Sequence, residues 1–305
     1  MKDYNTLNLS FIEVHNALKS AGIENNDFML TLLDESLKDV NPYCEDLGPD
    51  IKMKIIKECS QNYWYFLREI VQYIVDDIVV HFPLTKDATL IHWLLDNDYN
   101  VLTHTKFKYD ISYRLLWEFL FTSGGSISLL DKSLGDAKDN LFLIKKIRNS
   151  LPDYLRLYEL YNSDGKKIIS KDNEETLENP VTYSRIKTLP VAKIKKNAVS
   201  IGRGLTSPRI WYNDFENINF ADIVYNSCIP AFYVTNANAK KNGNPTGIII
   251  TTKFDDGGNK YVCDFIRTMR INAADFNIFK LDWSKGNIDI YLKEFSINNF
   301  IYVRG

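Results

Sequence analysis

The run Gly247-Ile-Ile-Ile-Thr-Thr252 carries no polar side chain until its last two residues. A strand with one wet face alternates apolar and polar residues. An unbroken β-branched run therefore reads as a strand covered on both faces, which is the condition of a parallel sheet. The shorter run Ile210-Trp-Tyr212 has the same character and breaks off into Asn213-Asp214-Phe215-Glu216. Two buried strands are thus expected, one ending in amide and carboxyl groups and the other in two hydroxyls.

A chain of 305 residues with 45% hydrophobic and 25% charged residues is long enough for a large core and has a globular composition. The net charge of −2 excludes a global basic field, so contact with nucleic acid would have to come from local patches. Lys145-Lys146 with Arg148, Lys166-Lys167 and the segment Lys193 to Lys196 are such patches, and each reads first as solvated surface. Cysteines 44, 59, 228 and 263 form no CxxC pair and read as reduced thiols of a cytosolic protein. Histidines 15, 81, 92 and 104 form no zinc-binding spacing. No signal-peptide core and no apolar run of membrane-spanning length is present. The longest apolar stretch, Ile70 to Phe82, is interrupted by Asp76-Asp77 and reads as a core helix.

Helical spacing is expected over residues 7–40, Ile51–Cys59, Trp64–Val75 and about 86–96. From Tyr99 onward strands and helices alternate. Strands are expected at Tyr99–Leu102, Ser126–Leu130, Val181–Tyr183, Val191–Ile194, Ile210–Tyr212, Gly247–Thr252 and Phe300–Val303. Helices are expected at Ile111–Leu120, Asp136–Ile147, Ala221–Ala231 and about Lys260 to Ile271, with a turn at Ile201–Gly204 and a mobile loop or small hairpin over 162–180. The fold class is α/β: a mainly parallel sheet with helices on both faces, preceded by an N-terminal helical region over 1–82.

Several segments, in order, resemble the ATPase half of the large terminase subunit of tailed bacteriophages. Early ones are Asn41-Pro-Tyr43, Lys54-Ile-Ile-Lys-Glu-Cys59 and Asn62-Tyr-Trp-Tyr-Phe-Leu-Arg-Glu-Ile70. Next come Leu115-Leu-Trp117, Ser126-Ile-Ser-Leu-Leu-Asp-Lys132, Ala137-Lys-Asp-Asn-Leu141 and Leu151-Pro-Asp-Tyr-Leu155. Gly202-Arg-Gly-Leu-Thr206, Ile210-Trp-Tyr-Asn-Asp-Phe-Glu216, Pro230-Ala-Phe232, Asn238-Ala-Lys240, Asn242-Gly243 and Gly247-Ile-Ile-Ile-Thr-Thr252 complete the set. The resemblance implies a P-loop ATPase-like domain over 83–305 that uses Mg²⁺ and ATP. It implies double-stranded viral DNA, a portal protein and a small terminase subunit as partners. It also implies a homo-oligomeric ring, and residence in the host cytoplasm with transient docking at the prohead portal.

By the same resemblance, Lys106, Lys108 and Tyr109 fall on the phosphate loop, and Asn213 and Asp214 on the metal-binding strand end. Asp214, Glu216 and Arg203 are the candidates for catalysis, and Thr251 and Thr252 for sensing the γ-phosphate. The departures weigh as much. Phe107 stands where a glycine lets backbone N–H groups wrap a phosphate, Tyr109 where a short hydroxyl reaches Mg²⁺, Asn213 where an aspartate faces the metal, and Asp214 where a glutamate orients water. Lys106 and Lys108 are equally placed to offer charge. ATP hydrolysis is therefore expected to be weakened or lost, and no C-terminal nuclease domain is expected before Gly305. The alternatives are an active ATPase in which Asp214 and Glu216 rearrange, or a non-catalytic interaction protein that keeps the scaffold.

Overall fold

The computed structural model describes residues 9–20, 23, 26–75, 78–81, 85–168, 170–253, 260, 261, 264, 290–295 and 298–303. The chain begins with helices α1 (Leu9–Ser20), α2 (Pro49–Gln61) and the short α3 (Tyr63–Tyr65), which widens into a π turn over Phe66–Ile70. A hairpin follows, formed by β1 (Gln72–Val75) and β2 (Ile78–His81). Then come α4 (Lys86–Asp96), β3 (Asn100–His104), α5 (Lys108–Phe121), β4 (Ser126–Leu130) and α6 (Leu134–Asn149). After β5 (Thr176–Glu178), β6 (Arg185–Thr188) leads to α7 (Lys195–Arg203), β7 (Arg209–Tyr212), α8 (Ala221–Lys241) and β8 (Gly247–Thr252). The described chain closes with β9 (Ile290–Phe295) and β10 (Asn298–Val303).

The main sheet runs in the order β5-β6-β4-β7-β8-β3-β10-β9. Its six inner strands are parallel, and only the two outermost pairings are antiparallel. The expected α/β class is what the chain adopts. β8 lies between β7 and β3, so its two terminal threonines stand between the ends of those two strands. The result is a mainly parallel sheet covered by helices on both faces.

Side chains alternate across a strand, and the two faces carry separate cores. Leu129, Trp211, Ile249 and Val101 pack with α1 to α6. Leu130, Tyr212, Ile250 and Leu102 pack with α7 and α8. The N-terminal helices share the former core, through Phe11, Ile55, Trp64 and Phe66. Helix α7 approaches α8 closely: a Cβ on Gly202 would lie 2.4 Å from the Val224 carbonyl oxygen.

The edge where the parallel strands begin is tied by a buried charge network. Glu118 on α5 accepts from Arg209 Nη2 at 2.7 Å and from Arg114 Nε at 2.9 Å. Arg114 also reaches Asp96 at 2.6 Å, and Arg209 Nη2 donates to the Leu95 carbonyl at 3.3 Å. Among these groups Arg114, Glu118 and Arg209 are almost fully buried.

The structure departs from the sequence reading at several places. In the stretch expected as a helix from Ile70 to Phe82, Gln72–Val75 and Ile78–His81 are paired strands, because Ile74, Val75, Ile78, Val79 and Val80 favour extended backbone. Val181–Tyr183 is a turn held by the Asn179 side chain, which accepts from Val181 N–H at 2.9 Å. No strand forms at Val191–Ile194: Leu189 N–H makes one last bond to the Leu129 carbonyl, and Pro190 has no N–H to continue the ladder. Ile201–Gly204 is the end of α7, with Gly202 serving contact with α8, and not a free turn. Between Ser20 and Pro49 the described chain makes only short 3₁₀ turns, at Asp27–Met29 and Glu35–Leu37. The segment 162–180 carries the edge strand β5. The helix expected from Lys260 to Ile271 falls mostly outside the described residues.

Replacing Glu118 by Ala leaves two buried guanidinium groups without their shared partner. We expect a loss of about 3–5 kcal/mol in urea unfolding. A loss under ~1 kcal/mol, the range of an exposed pair, would contradict the network's burial.

Candidate functional site

The inner strands are in register at their far ends. Leu130, Tyr212, Ile250 and Leu102 sit at one level. The next residues, Asp131, Asn213, Thr251 and Thr103, therefore share the opposite face as a polar row across four neighbouring strands. Three of the four are joined directly. Asn213 Nδ2 donates to Asp131 Oδ2 at 2.6 Å, and Thr251 Oγ1 donates to Asn213 Oδ1 at 2.6 Å. Trp211 Nε1 donates to Thr251 Oγ1 at 3.2 Å. The row is buried, with Asp131 2% and Thr251 0% exposed.

Asp131, not singled out from the sequence as a site residue, is among the most fully bonded side chains of the row. Beyond Asn213, it accepts from Asn140 Nδ2 at 2.8 Å and from Lys132 N–H at 2.6 Å. Burial pushes its carboxyl up to about 6, against hydrogen bonds from Asn213 and Lys132 that favour the charged form. Its signal in the sequence was available: Leu129-Leu130-Asp131 is another apolar strand breaking into an acid.

Asp214 follows Asn213 in the left-handed region, at φ 48°, a conformation that aspartate tolerates better than most residues. Lys132 Nζ donates to its Oδ2 at 2.9 Å. Glu216 lies in a 3₁₀ turn, Phe215–Asn217, and its Oε1 accepts from Lys253 N–H at 3.1 Å. Its Oε2 and the Thr252 hydroxyl are buried without a hydrogen-bond partner among the described residues. The structure thus brings Asn213, Asp214, Glu216, Thr251 and Thr252 to one edge.

The phosphate-loop candidates are arranged otherwise. From the end of β3 the chain makes one 3₁₀ turn, Thr105–Phe107, and passes directly into α5. His104 caps that turn, its Nδ1 accepting from Lys106 N–H at 3.0 Å. The Phe107 ring is 5% exposed and belongs to the core. Lys106 and Lys108 are exposed, each lying over the adjacent ring, with Nζ 4.9 Å from the Phe107 centroid and 5.6 Å from the Tyr109 centroid. Tyr109 faces α6, where it lines a cavity of about 110 Å³ with Tyr113, Leu143 and Lys146. Arg203 is exposed on the last turn of α7, which leads into the start of β7. It therefore belongs to the edge where strands begin, and not to the edge that carries the other candidates.

These residues do not fit an Mg²⁺–nucleotide group. A phosphate cradle needs free backbone N–H groups around a small residue. Here one N–H is taken by His104 and the small residue is a buried phenylalanine. Both ends of the Asn213 amide are bonded within the protein, and Asp214 is held by an ammonium. No step through such a group is derived from this geometry.

The fold and the strand-end row define an α/β protein with a mainly parallel sheet and a buried polar row closing one edge of it. Among solved structures the chain is similar to the large terminase of bacteriophage HK97, at 14% identity and a TM-score of 0.40, over 64% of this chain and 39% of that one. It is also similar to the large terminase of a thermophilic bacteriophage, at 9% identity and a TM-score of 0.36, over 62% of this chain and 50% of that one. The chain thus spans half or less of the length of these proteins. No protein-family model matches the chain, and comparison with curated proteins finds no match.

An acid in place of Asn213 should harm this protein. Asn213→Asp sets a carboxylate against Asp131 and removes the amide donor between them. We expect a loss of about 1–3 kcal/mol at pH 8. Asp131 holds its proton below about 6 and can then donate to the new carboxylate, so the loss should shrink at pH 5. Urea unfolding at both pH values checks this, and an equal loss at each would contradict it.

Proposed function

We propose that the chain is a terminase-like ATPase domain of a phage DNA-packaging motor that does not turn over ATP through its own strand-end site. The observation that carries the loss of turnover is the filled phosphate seat. His104 occupies the Lys106 N–H, the Phe107 ring enters the core, and Tyr109 turns toward α6. The terminase part of the reading is supported by the ordered sequence segments, and by the strand order that sets Thr251-Thr252 between the ends of β3 and β7.

In this reading the domain keeps the scaffold and the coupling row Asp131–Asn213–Thr251. Its work is contact with duplex DNA, the portal, the small subunit or further copies of a motor chain in a ring. DNA would be held through phosphates by lysine and arginine patches, independent of sequence and steeply weakened by salt. No helix among the described residues is long and apolar enough to cross a membrane.

Titration calorimetry of the whole chain with Mg²⁺-ATP tests the catalytic half. The expected result is no binding tighter than about 1 mM, for the wild type and for Lys108→Ala alike. Micromolar binding that vanishes in Lys108→Ala would overturn it. A duplex-DNA titration at two salt concentrations tests the other half. Sequence-independent binding that falls steeply with salt is expected. No binding at low salt would favour a scaffold protein that makes no DNA contact.

A further inference from the structure

The poor fit to a metal has a specific cause at the strand ends. Three carboxylates gather where β4 and β7 finish. Asp131 ends β4, Asp214 follows β7, and Asp136 lies in the first turn of α6, where the capping Ser133 also bonds it. The Asp136 side chain is 36% exposed and Asp131 has three hydrogen-bond donors, but the buried Asp214 carboxylate needs a partner, since an unpaired buried carboxylate is strongly disfavoured. Lys132 follows Asp131 directly in the chain. Its Nζ stands 2.9 Å from Asp214 Oδ2 and 3.5 Å from Asp136 Oδ1. The Asp214 side chain is 10% exposed and that of Lys132 is 40% exposed, so the ammonium reaches from the surface to a buried carboxylate.

We propose that Lys132 is a built-in counter-ion, its tethered ammonium taking the place of a divalent cation among the strand-end carboxylates. An ammonium supplies charge and up to three directed hydrogen bonds, whereas Mg²⁺ demands near-octahedral oxygen at about 2.0–2.1 Å. Among the described residues no three carboxyl, imidazole or thiol groups converge on one cation position. Two of the carboxylates, Asp214 and Asp136, are placed around the Lys132 ammonium instead, while Asp131 is held by the Asn213 and Asn140 amides and the Lys132 N–H. Hydrogen bonding to Asp214, and the fields of Asp214, Asp136 and Asp131, raise the Lys132 ammonium above its ordinary range, so it stays charged at neutral pH. Because the cation is part of the chain, Asp214 is paired at any magnesium concentration. The left-handed Asp214 is pinned in one position. Asn213, next to Asp131, adds no negative charge to a group whose three carboxylates already outnumber its one ammonium.

This inference rests on the reading that no Mg²⁺–nucleotide occupies the strand ends, and it can be tested apart from it, without nucleotide. Thermal unfolding is followed for the wild type, Lys132→Met and Lys132→Arg, each with and without millimolar Mn²⁺ or Mg²⁺. The wild type and Lys132→Arg should not respond to either cation. Lys132→Met should melt lower than the wild type and be raised by the cations, by about 2 °C or more once they exceed their dissociation constant tenfold. Adding Asp214→Asn to Lys132→Met should recover part of the lost melting temperature and abolish the response. An equal cation response in the wild type and Lys132→Met would overturn the proposal. So would a Lys132→Met protein that melts like the wild type and ignores both cations. ATP binding in the calorimetric titration, with the cation results as expected, would overturn the functional reading and leave the counter-ion role of Lys132 in place.

Discussion

A parallel sheet covered on both faces leaves its polar side chains only one place to go, the ends of its strands. The rest of this structure follows from how each end meets that constraint. Where the strands begin, Arg209, Arg114 and Glu118 form a dry ionic knot joining the first residue of β7 to α4 and α5. Where they finish, the Asn213 amide links an acid on one neighbouring strand to a hydroxyl on the other. Both closures are buried and internally bonded. Each would be costly to break from one side, since an orphaned buried charge or amide loses its partner without regaining water.

The strand-finishing edge has the bonding of a structural closure. A catalytic edge keeps acceptors and donors free for the ligand. This edge uses nearly all of them on itself. Asp131 takes three donors, Asn213 is bonded through both amide atoms, Asp214 holds Lys132, and Lys106 N–H is capped by His104. The unpartnered groups left among the described residues of this edge, Glu216 Oε2 and the Thr252 hydroxyl, lie at the end of β8 beside β3. Phe107, Tyr109 and Asn213 thus act together: the Phe107 ring fills the turn after β3, Tyr109 faces α6, and Asn213 leaves Lys132 to pair with Asp214.

The strands were legible where apolar residues ran unbroken, as in Ile248-Ile-Ile250 and Ile210-Trp-Tyr212, because burial on both faces leaves no competing pattern. The strand-end groups at 213, 214, 251 and 252 were legible for the same reason. Asp131 and Lys132 follow an equally plain run, Ile127 to Leu130, yet their weight depends on β4 lying beside β7, and strand order is not local information. The hairpin at 72–81 was read as a helix because a short β-branched run fits either period. Helix α7 was hidden because Gly202 marks a turn in sequence terms, while in space it serves the approach of α8. Arg203 looked available for chemistry only until the direction of α7 placed it at the other edge.

The central claim is that the loop after β3 is closed by its own side chains and does not open for a nucleotide. Amide hydrogen exchange over residues 104–108, with and without millimolar Mg²⁺-ATP, tests it most directly. The account predicts that Lys106 N–H, bonded to His104, is protected to the same degree in both conditions. A change in protection at Lys106 and Phe107 on adding Mg²⁺-ATP would show the seat opening to phosphate and would contradict it.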